Sequence, residues 1–353
     1  MSAAALPSLD NLDDPRIWLE EVEGEEQLDW VRLRNAEAVE RIGEPSAQPL
    51  YNRLLSIMES DEKIPYIGRV LNGLYYNFWQ DETHVQGIWR RCTLEEYRKS
   101  EPEWELVLDL DALSATDGVS WVWGGSTLLD EGPDVRRDRV MISLSRGGAD
   151  AKISREFDLD KKAFVSVADG GFELPEAKTT LSYKDRDTLL VGGAFGEAEM
   201  TDSGYPRSVY EWQRGTPLSS ATKLYEGEQS DVSVGAVAYL DRGSTYELRY
   251  RSITFYTARY EMRLGRGADG DGAPSDFRHV AVPEDAGVGT FADQLLITLR
   301  SPWLGYQQGA MLAAPAAAFL DAADDDARSA LLMQLFNPTE TTYAAQELQR
   351  RTG

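Results

Sequence analysis

The sequence predicts a mostly β protein, a propeller of about five four-stranded sheets that follows two N-terminal helices. Short β-type runs broken by Gly, Asp and Asn turns recur after Pro65, with roughly 45 to 60 residues for each group of about four strands. Helical spacing is largely confined to the segment before Pro65. We therefore expect an N-terminal helical segment, residues 1–62, and a propeller domain, residues 63–353.

Two amphipathic segments predict the helices. Between Glu25 and Ile42, apolar or aromatic residues recur close to helical spacing, and charged residues fill the opposite face. The segment from Leu50 to Glu59 repeats this pattern over a shorter length. Both helices are expected to end before Pro65, where the β-type runs begin.

The β-type runs fall into repeated groups. An Asn72-Gly73 pair between two such runs is a strong hairpin signal, because both residues tolerate the left-handed backbone of a two-residue turn. The last group is expected to begin at His279 and to reach Pro315. The predicted groups cover residues 66–113, 119–159, 178–228, 232–265 and 279–315.

Charge and composition exclude several classes of partner. The chain has 60 acidic and 36 basic residues and a net charge of −24, so it repels phosphate backbones and anionic lipid surfaces. Neither nucleic acid nor a membrane is therefore expected as a partner. The single cysteine, Cys92, fits a reducing cytoplasm and is expected to be a small buried side chain. The N-terminus lacks the features of an export signal.

The sequence contains no complete catalytic motif. It has no G-x-S-x-G elbow, and the nearest run, Gly124–Leu128, lies in a strand-rich stretch. The two histidines, His84 and His279, are expected to be structural, since neither lies beside a recognisable nucleophile motif. Gly147-Gly148 predicts a β-turn and not a phosphate loop. No catalytic residue, metal or cofactor is therefore predicted.

Four runs of the sequence follow the pattern of one enzyme family. The segment from Asp14 to Gly24 reads DPxxWLEEVEG, and residues 74–113, 142–159 and 171–183 continue the pattern in order. These runs resemble the N-terminal part of the prolyl oligopeptidase family of serine peptidases. The resemblance implies a seven-bladed propeller above a separate α/β-hydrolase domain that carries a Ser-Asp-His triad. The chain is therefore expected to hold an incomplete propeller without the hydrolase domain, and to be inert alone.

The resemblance also indicates candidate substrate-binding residues. In the family, the propeller restricts entry to short, proline-containing peptides and lends side chains to the substrate cavity. A family position that is aromatic aligns with Lys178, whose charge would attract acidic residues or a peptide carboxylate. Arg207 is the second candidate, because the Gly-Tyr-Pro loop before it can present a cation to a central channel. A solvated lysine and a structurally paired arginine remain the alternatives.

The family further implies that the N-terminal segment braces the hydrolase domain. Trp18, Leu19 and Trp30 are therefore expected to be only partly buried in this chain. An open ring would expose apolar surface and unpaired strand edges, which predicts marginal stability and self-association.

The sequence leaves two other functions open. The chain could be a non-catalytic propeller that binds peptides or another protein. It could also be a hydrolase that acts on carbohydrate through paired carboxylates such as Asp109 and Asp111.

Overall fold

The structure is a computed structural model that describes residues 14–21, 24–193, 195–265 and 275–342. The chain divides into two compact units, Met1–Lys63 and Ile64–Gly353. The expectation that the N-terminus lacks an export signal concerns residues that lie mainly outside the described ranges. That the helical segment, 1–62, and the propeller, 63–353, are separate domains stays a prediction.

The first unit is helical. Its described helices follow the predicted amphipathic segments, and none of their residues is buried. Trp18, Leu19 and Trp30 are each half-buried, and the two indole rings meet edge-on at 6.5 Å. The helices are α1 (Glu25–Ile42) and α2 (Pro49–Met58), with short 3-10 helices at Ile17–Glu20 and Pro45–Ala47.

The second unit consists of five antiparallel sheets, among the described residues, that follow one another along the chain. The mostly β architecture and the five sheets are therefore confirmed. Sheet 1 contains β1 (Ile67–Leu71), β2 (Leu74–Trp79), β3 (Ile88–Thr93) and β4 (Glu105–Asp109). Sheet 2 contains β5 (Trp121–Leu128), β6 (Arg139–Arg146), β7 (Lys152–Asp158), β8 (Ala163–Phe164) and β9 (Glu173–Ala177), which also pairs with β7.

The other three sheets have four strands each. Sheet 3 contains β10 (Thr180–Asp185), β11 (Thr188–Gly192), β12 (Ser208–Gln213) and β13 (Thr222–Glu226). Sheet 4 contains β14 (Ser233–Asp241), β15 (Ser244–Ser252), β16 (Ala258–Leu264) and β17 (Arg278–His279). Sheet 5 contains β18 (Gly287–Phe291), β19 (Gln294–Thr298), β20 (Met311–Pro315) and β21 (Met333–Phe336). Short helices lie between strands at α3 (Leu94–Tyr97), α4 (Leu110–Asp117), α5 (Ala316–Asp321) and α6 (Asp325–Leu331).

The predicted turns form where the sequence places them. Asn72 and Gly73 have φ values of 52° and 76° and join β1 to β2 as a two-residue turn. Gly147 and Gly148, with φ values of 58° and 89°, lie in the turn between β6 and β7. These four residues adopt the left-handed backbone region, which glycine and asparagine enter at low steric cost.

The predicted start of the last group is wrong. Arg278 and His279 form β17, which pairs with β16 and completes sheet 4, so that sheet 5 begins only at Gly287. The strand is two residues long and exposed. Such a short, polar segment has too little hydrophobic alternation to show from sequence which sheet it joins.

Apolar contacts join each sheet to the next. Four core clusters link sheets 1 and 2, 2 and 3, 3 and 4, and 4 and 5. At the first of these interfaces, Phe157 packs 6.4 Å from the ring of Trp89. Among the residues that the structure describes, no such cluster links sheet 5 to sheet 1. The core is therefore a series of interfaces between neighbours, and each contributes separately to stability.

A buried ion pair reinforces the interface between sheets 2 and 3. Glu156 is fully buried, and Arg214 donates to both of its carboxylate oxygens, at 2.7 and 2.9 Å. The hydroxyl of Tyr183 donates to the same carboxylate at 2.8 Å, and the main-chain N–H of Phe172 at 3.3 Å. Burial and the neighbouring Glu156 carboxylate raise the pKa of Tyr183 well above its ordinary value, so its hydroxyl remains a donor. The carboxylate is therefore fully satisfied despite its burial.

A second ion-pair group lies on sheet 1. Arg91 donates to both carboxylate oxygens of Glu105, at 2.7 and 3.1 Å, and the ammonium of Lys162 lies 3.0 Å from one of them. The hydrogen bonds from Arg91, together with Lys162, lower the pKa of Glu105 from 4.5 to about 2. The carboxylate therefore favours the folded state only while it is charged.

We expect Glu105→Gln to lower the stability at neutral pH and to make it less dependent on pH in the acidic range. Because the folded-state pKa lies below the unfolded value, the stabilisation is present above pH 4.5 and is lost as the pH falls toward about 2. The variant should therefore have a lower urea midpoint at pH 7, and its difference from the parent chain should shrink as the pH falls below about 4.5. Glu101→Gln, at an exposed position, is the control and should show no such trend. A pH-independent difference for Glu105→Gln would contradict the ion-pair explanation.

Candidate functional site

A cavity of about 830 Å³ lies where the first strands of four sheets face one another. Its wall is formed by β1, β5, β10 and β14, by the residues that follow β5 and by Thr245 of β15. This position matches the central channel that the sheets of a propeller surround. The volume falls within the roughly 300 to 1,000 Å³ that is usual for ligand sites.

The cavity combines apolar walls with charged groups. Leu128, Leu181, Val237 and Leu240 contribute apolar surface from three different strands. Such a lining, with a few polar groups among apolar side chains, is typical of sites that bind organic ligands.

Most charged groups of the cavity wall are paired. Asp130 lies 3.1 Å from the guanidinium of Arg137, and Lys184 forms an ion pair with Glu211. Glu131 accepts a hydrogen bond of 3.2 Å from the Nε of Arg186 and a second, shorter one from the same guanidinium. These pairs neutralise their charges within the wall.

Arg69 on β1 has no such ion pair among the described residues. Its Nη2 donates to the main-chain oxygen of Ser126 at 3.3 Å. Its Nη1 is buried and has no hydrogen-bond partner within the described part of the chain. Sequence reasoning missed this residue, because no motif marks it. The available signal was its place in the first strand of a sheet, since the first strands line the channel.

The predicted site residues lie outside this wall. Lys178 lies between β9 and β10, 3.5 Å from a carboxylate oxygen of Asp150 and 4.8 Å from the ring centre of Tyr205. Arg207 precedes β12, lies 3.1 Å from Glu226 and donates to a main-chain oxygen at 3.0 Å. The lysine therefore contacts the loop that carries the arginine. Both cations are already paired with carboxylates, and neither lines the cavity.

The side chains considered for catalysis have structural contacts. The Nδ1 of His84 lies 2.9 Å from Asp81, which also accepts the main-chain N–H groups of Thr83 and His84 and so stabilises a turn. His279 is exposed on β17. The run Gly124–Leu128 lies within β5 and forms no elbow.

Cys92 and the paired carboxylates have structural contacts as well. Cys92 is buried on β3, and burial raises the pKa of its thiol, which disfavours a nucleophilic thiolate. Asp109 caps α4 through the N–H of Ala112 at 2.9 Å, and Asp111 accepts the N–H of Gln86 at 3.1 Å. No group of His, Cys, Asp and Glu among the described residues is arranged to hold a metal ion. No helix in the described ranges is long and apolar enough to cross a membrane.

Comparison with known proteins gives the family. The family model described as prolyl oligopeptidase, N-terminal beta-propeller domain, matches residues 7–246. The chain belongs to the prolyl oligopeptidase family. The match covers the first three sheets and part of the fourth, so the sheets with the cavity are those of the family's propeller domain.

Individual relatives agree with this membership. An uncharacterized peptidase of Sinorhizobium fredii is 32% identical over 352 residues, which cover 96% of this chain and 46% of the relative. An uncharacterized peptidase of Rickettsia prowazekii is 30% identical over 339 residues, or 92% of this chain and 45% of the relative. The structure of a post-proline cleaving enzyme from Rickettsia typhi superposes with a TM-score of 0.78 at 29% identity, covering 91% of this chain and 47% of that one. The chain thus spans about half the length of the relatives it matches.

Proposed function

We propose that this chain is the N-terminal portion of a prolyl-oligopeptidase-like serine peptidase. Its propeller would admit short peptides, including proline-containing ones, to a separate α/β-hydrolase domain that carries the catalytic triad. The observation that carries the proposal is the cavity between the first strands of four sheets, in a chain that belongs to this family. The similar Rickettsia typhi structure is described as a post-proline cleaving enzyme, which supports this substrate class. Alone, the chain is proposed to be inert.

The surface of α2 supports a partner domain. Leu50, Leu54, Ile57 and Met58 on this helix are 66%, 52%, 52% and 73% exposed. Such a continuous apolar surface on a helix is usually covered in the functional protein. We propose that the hydrolase domain covers it, which agrees with the bracing role that the family implies.

Lys178 and Arg207 remain proposed substrate contacts. Their positions next to the loop of Tyr205 would place them outside the cavity, where they could contact a peptide before it enters. Because both have carboxylate partners, any attraction they exert is partly neutralised. The proposed cytoplasmic location rests on the single cysteine of the sequence.

We expect Gly68→Trp to prevent peptide binding. Gly68 lines the cavity, and a Cβ built on it meets no atom within 4 Å, so a large side chain has open space to occupy. The parent chain should bind a fluorescent peptide of about six residues with one proline, and should leave it uncleaved. Fluorescence anisotropy should show at least about a tenfold loss of affinity in the variant, since a filled cavity excludes the ligand.

A matched variant controls for the added tryptophan. Ala163→Trp places the same side chain at an exposed position on β8 and should bind the peptide as the parent chain does. Equal binding by the parent chain and Gly68→Trp would contradict peptide binding in the cavity. Failure of the parent chain to bind the peptide would contradict it as well. Cleavage of the peptide by the chain alone would contradict its proposed inertness.

The alternative, a binding propeller without a catalytic partner, predicts the same peptide binding. The nucleotide sequence downstream of the codon for Gly353 distinguishes the two. A continuation that encodes G-x-S-x-G and a late histidine supports the peptidase, and its absence supports the binding protein.

A further inference from the structure

Arg69 is a partly buried cation that forms no ion pair among the described residues. It lines the cavity from β1, and its hydrogen bond to the main-chain oxygen of Ser126, at 3.3 Å, is long for a charged donor. Its Nη1 is buried and makes no hydrogen bond within the described residues. Burial is the only cause of the shift in its pKa, so no carboxylate of the described ranges contributes to it. A guanidinium has five donors, and the two on Nη1 are left without a partner among the described residues.

The other cation of the wall shows that Arg69 is an exception. Lys184 is neutralised by Glu211. The chain has a net charge of −24, and carboxylates far outnumber cations. If the role of Arg69 were to hold two sheets together, we would therefore expect it to have a carboxylate partner.

Without a ligand, the desolvation of Arg69 raises the free energy of the folded chain. Burial removes water from Nη1, and the hydrogen bond that Nη2 makes to one main-chain oxygen does not replace that hydration. Burial alone lowers the pKa of Arg69 from its ordinary value, with no carboxylate to raise it again. An anion that entered the cavity would restore the missing interactions, and the planar fork of arginine suits a carboxylate.

We propose that Arg69 binds a carboxylate in the cavity, and that this carboxylate is the C-terminal α-carboxylate of a short peptide. The proposal rests on the proposed function, because it assumes that peptides enter the cavity. It transfers to Arg69 the attraction for a peptide carboxylate that the sequence suggested for Lys178, since the lysine is paired with Asp150 and lies outside the wall.

The test compares two forms of one peptide. An N-acetylated tetrapeptide, Ala-Pro-Ala-Ala, is titrated into the full chain with a free C-terminal carboxylate and as its C-terminal amide, by isothermal calorimetry. The free acid should bind at least about tenfold more tightly than the amide, which is the scale of a charged hydrogen bond. Arg69→Met, which keeps the apolar stem, should abolish this preference, and Arg69→Lys should retain part of it. Arg136→Met, at an exposed ion pair, should keep it in full.

The outcomes separate this proposal from the proposed function. Equal binding of the acid and the amide to the parent chain overturns the role of Arg69 and leaves peptide binding intact. A preference for the acid that survives in Arg69→Met also overturns it. If neither form binds, both proposals fail.

A second experiment uses acetate alone as a competitor. Acetate that competes as strongly as the tetrapeptide would overturn the peptide terminus as the occupant, and weak competition supports the peptide terminus. Urea midpoints confirm that each variant is folded.

Discussion

Arg214→Met is expected to lower the free energy of unfolding by about 3 to 5 kcal/mol, the cost of removing one partner of a buried ion pair. The carboxylate of Glu156 would remain fully buried, with only Tyr183 and the main-chain N–H of Phe172 as donors. The arginine also donates to the main-chain oxygen of Gly170 at 2.7 Å, so a further acceptor would lose its partner. Urea denaturation followed by tryptophan fluorescence measures the loss.

Two further variants make this test specific. Arg136→Met removes the same side chain from an ion pair in which Arg136 and Asp160 are 57% and 42% exposed, and should cost no more than about 1 kcal/mol. Glu156→Gln combined with Arg214→Met should lose less than the sum of the two single variants, because each single variant leaves one unpaired charge and the double variant leaves none. Equal losses in the free energy of unfolding for Arg214→Met and Arg136→Met would show that the buried ion pair stabilises the fold no more than the exposed one.

Phe157→Ala is expected to cost about 3 to 5 kcal/mol through the cavity it leaves between sheets 1 and 2. Phe157 is 1% exposed, and its ring lies 6.4 Å from Trp89 and 5.2 Å from Phe164. Phe157 belongs to the core cluster that joins sheets 1 and 2, so the loss falls on that interface. The urea midpoint and the thermal transition should both fall.

Phe255→Ala provides the matched control. This phenylalanine is 83% exposed, so the same substitution should change the free energy of unfolding by less than about 0.5 kcal/mol. If Phe157→Ala costs less than about 1 kcal/mol, the two sheets are not held together by the described cluster.

The sequence could predict features that depend on neighbouring residues. The helix Glu25–Ile42 follows from apolar spacing, and the turn at Asn72-Gly73 follows from the low cost of a left-handed backbone in these residues. The number of sheets follows from the repeat of strand-forming runs, and family membership from the motif that begins at Asp14. Each of these signals lies in a short segment or in the recurrence of such segments along the chain.

The candidate site depended on contacts between distant segments. Arg69 meets the main chain of Ser126, 57 residues away, and neither segment carries a motif. The sequence shows that Lys178 and Arg207 are cations, but only the fold shows that each has a carboxylate partner outside the cavity wall. The same limit explains the misassigned strand at His279, whose two residues belong to sheet 4. Spacing and propensity thus predicted the two long helices, the marked turns and most of the strands. The packing of one sheet on the next decided which charges were neutralised and left Arg69 without an ion pair among the described residues, because pairing between charges depends on distance in space and not on separation along the chain.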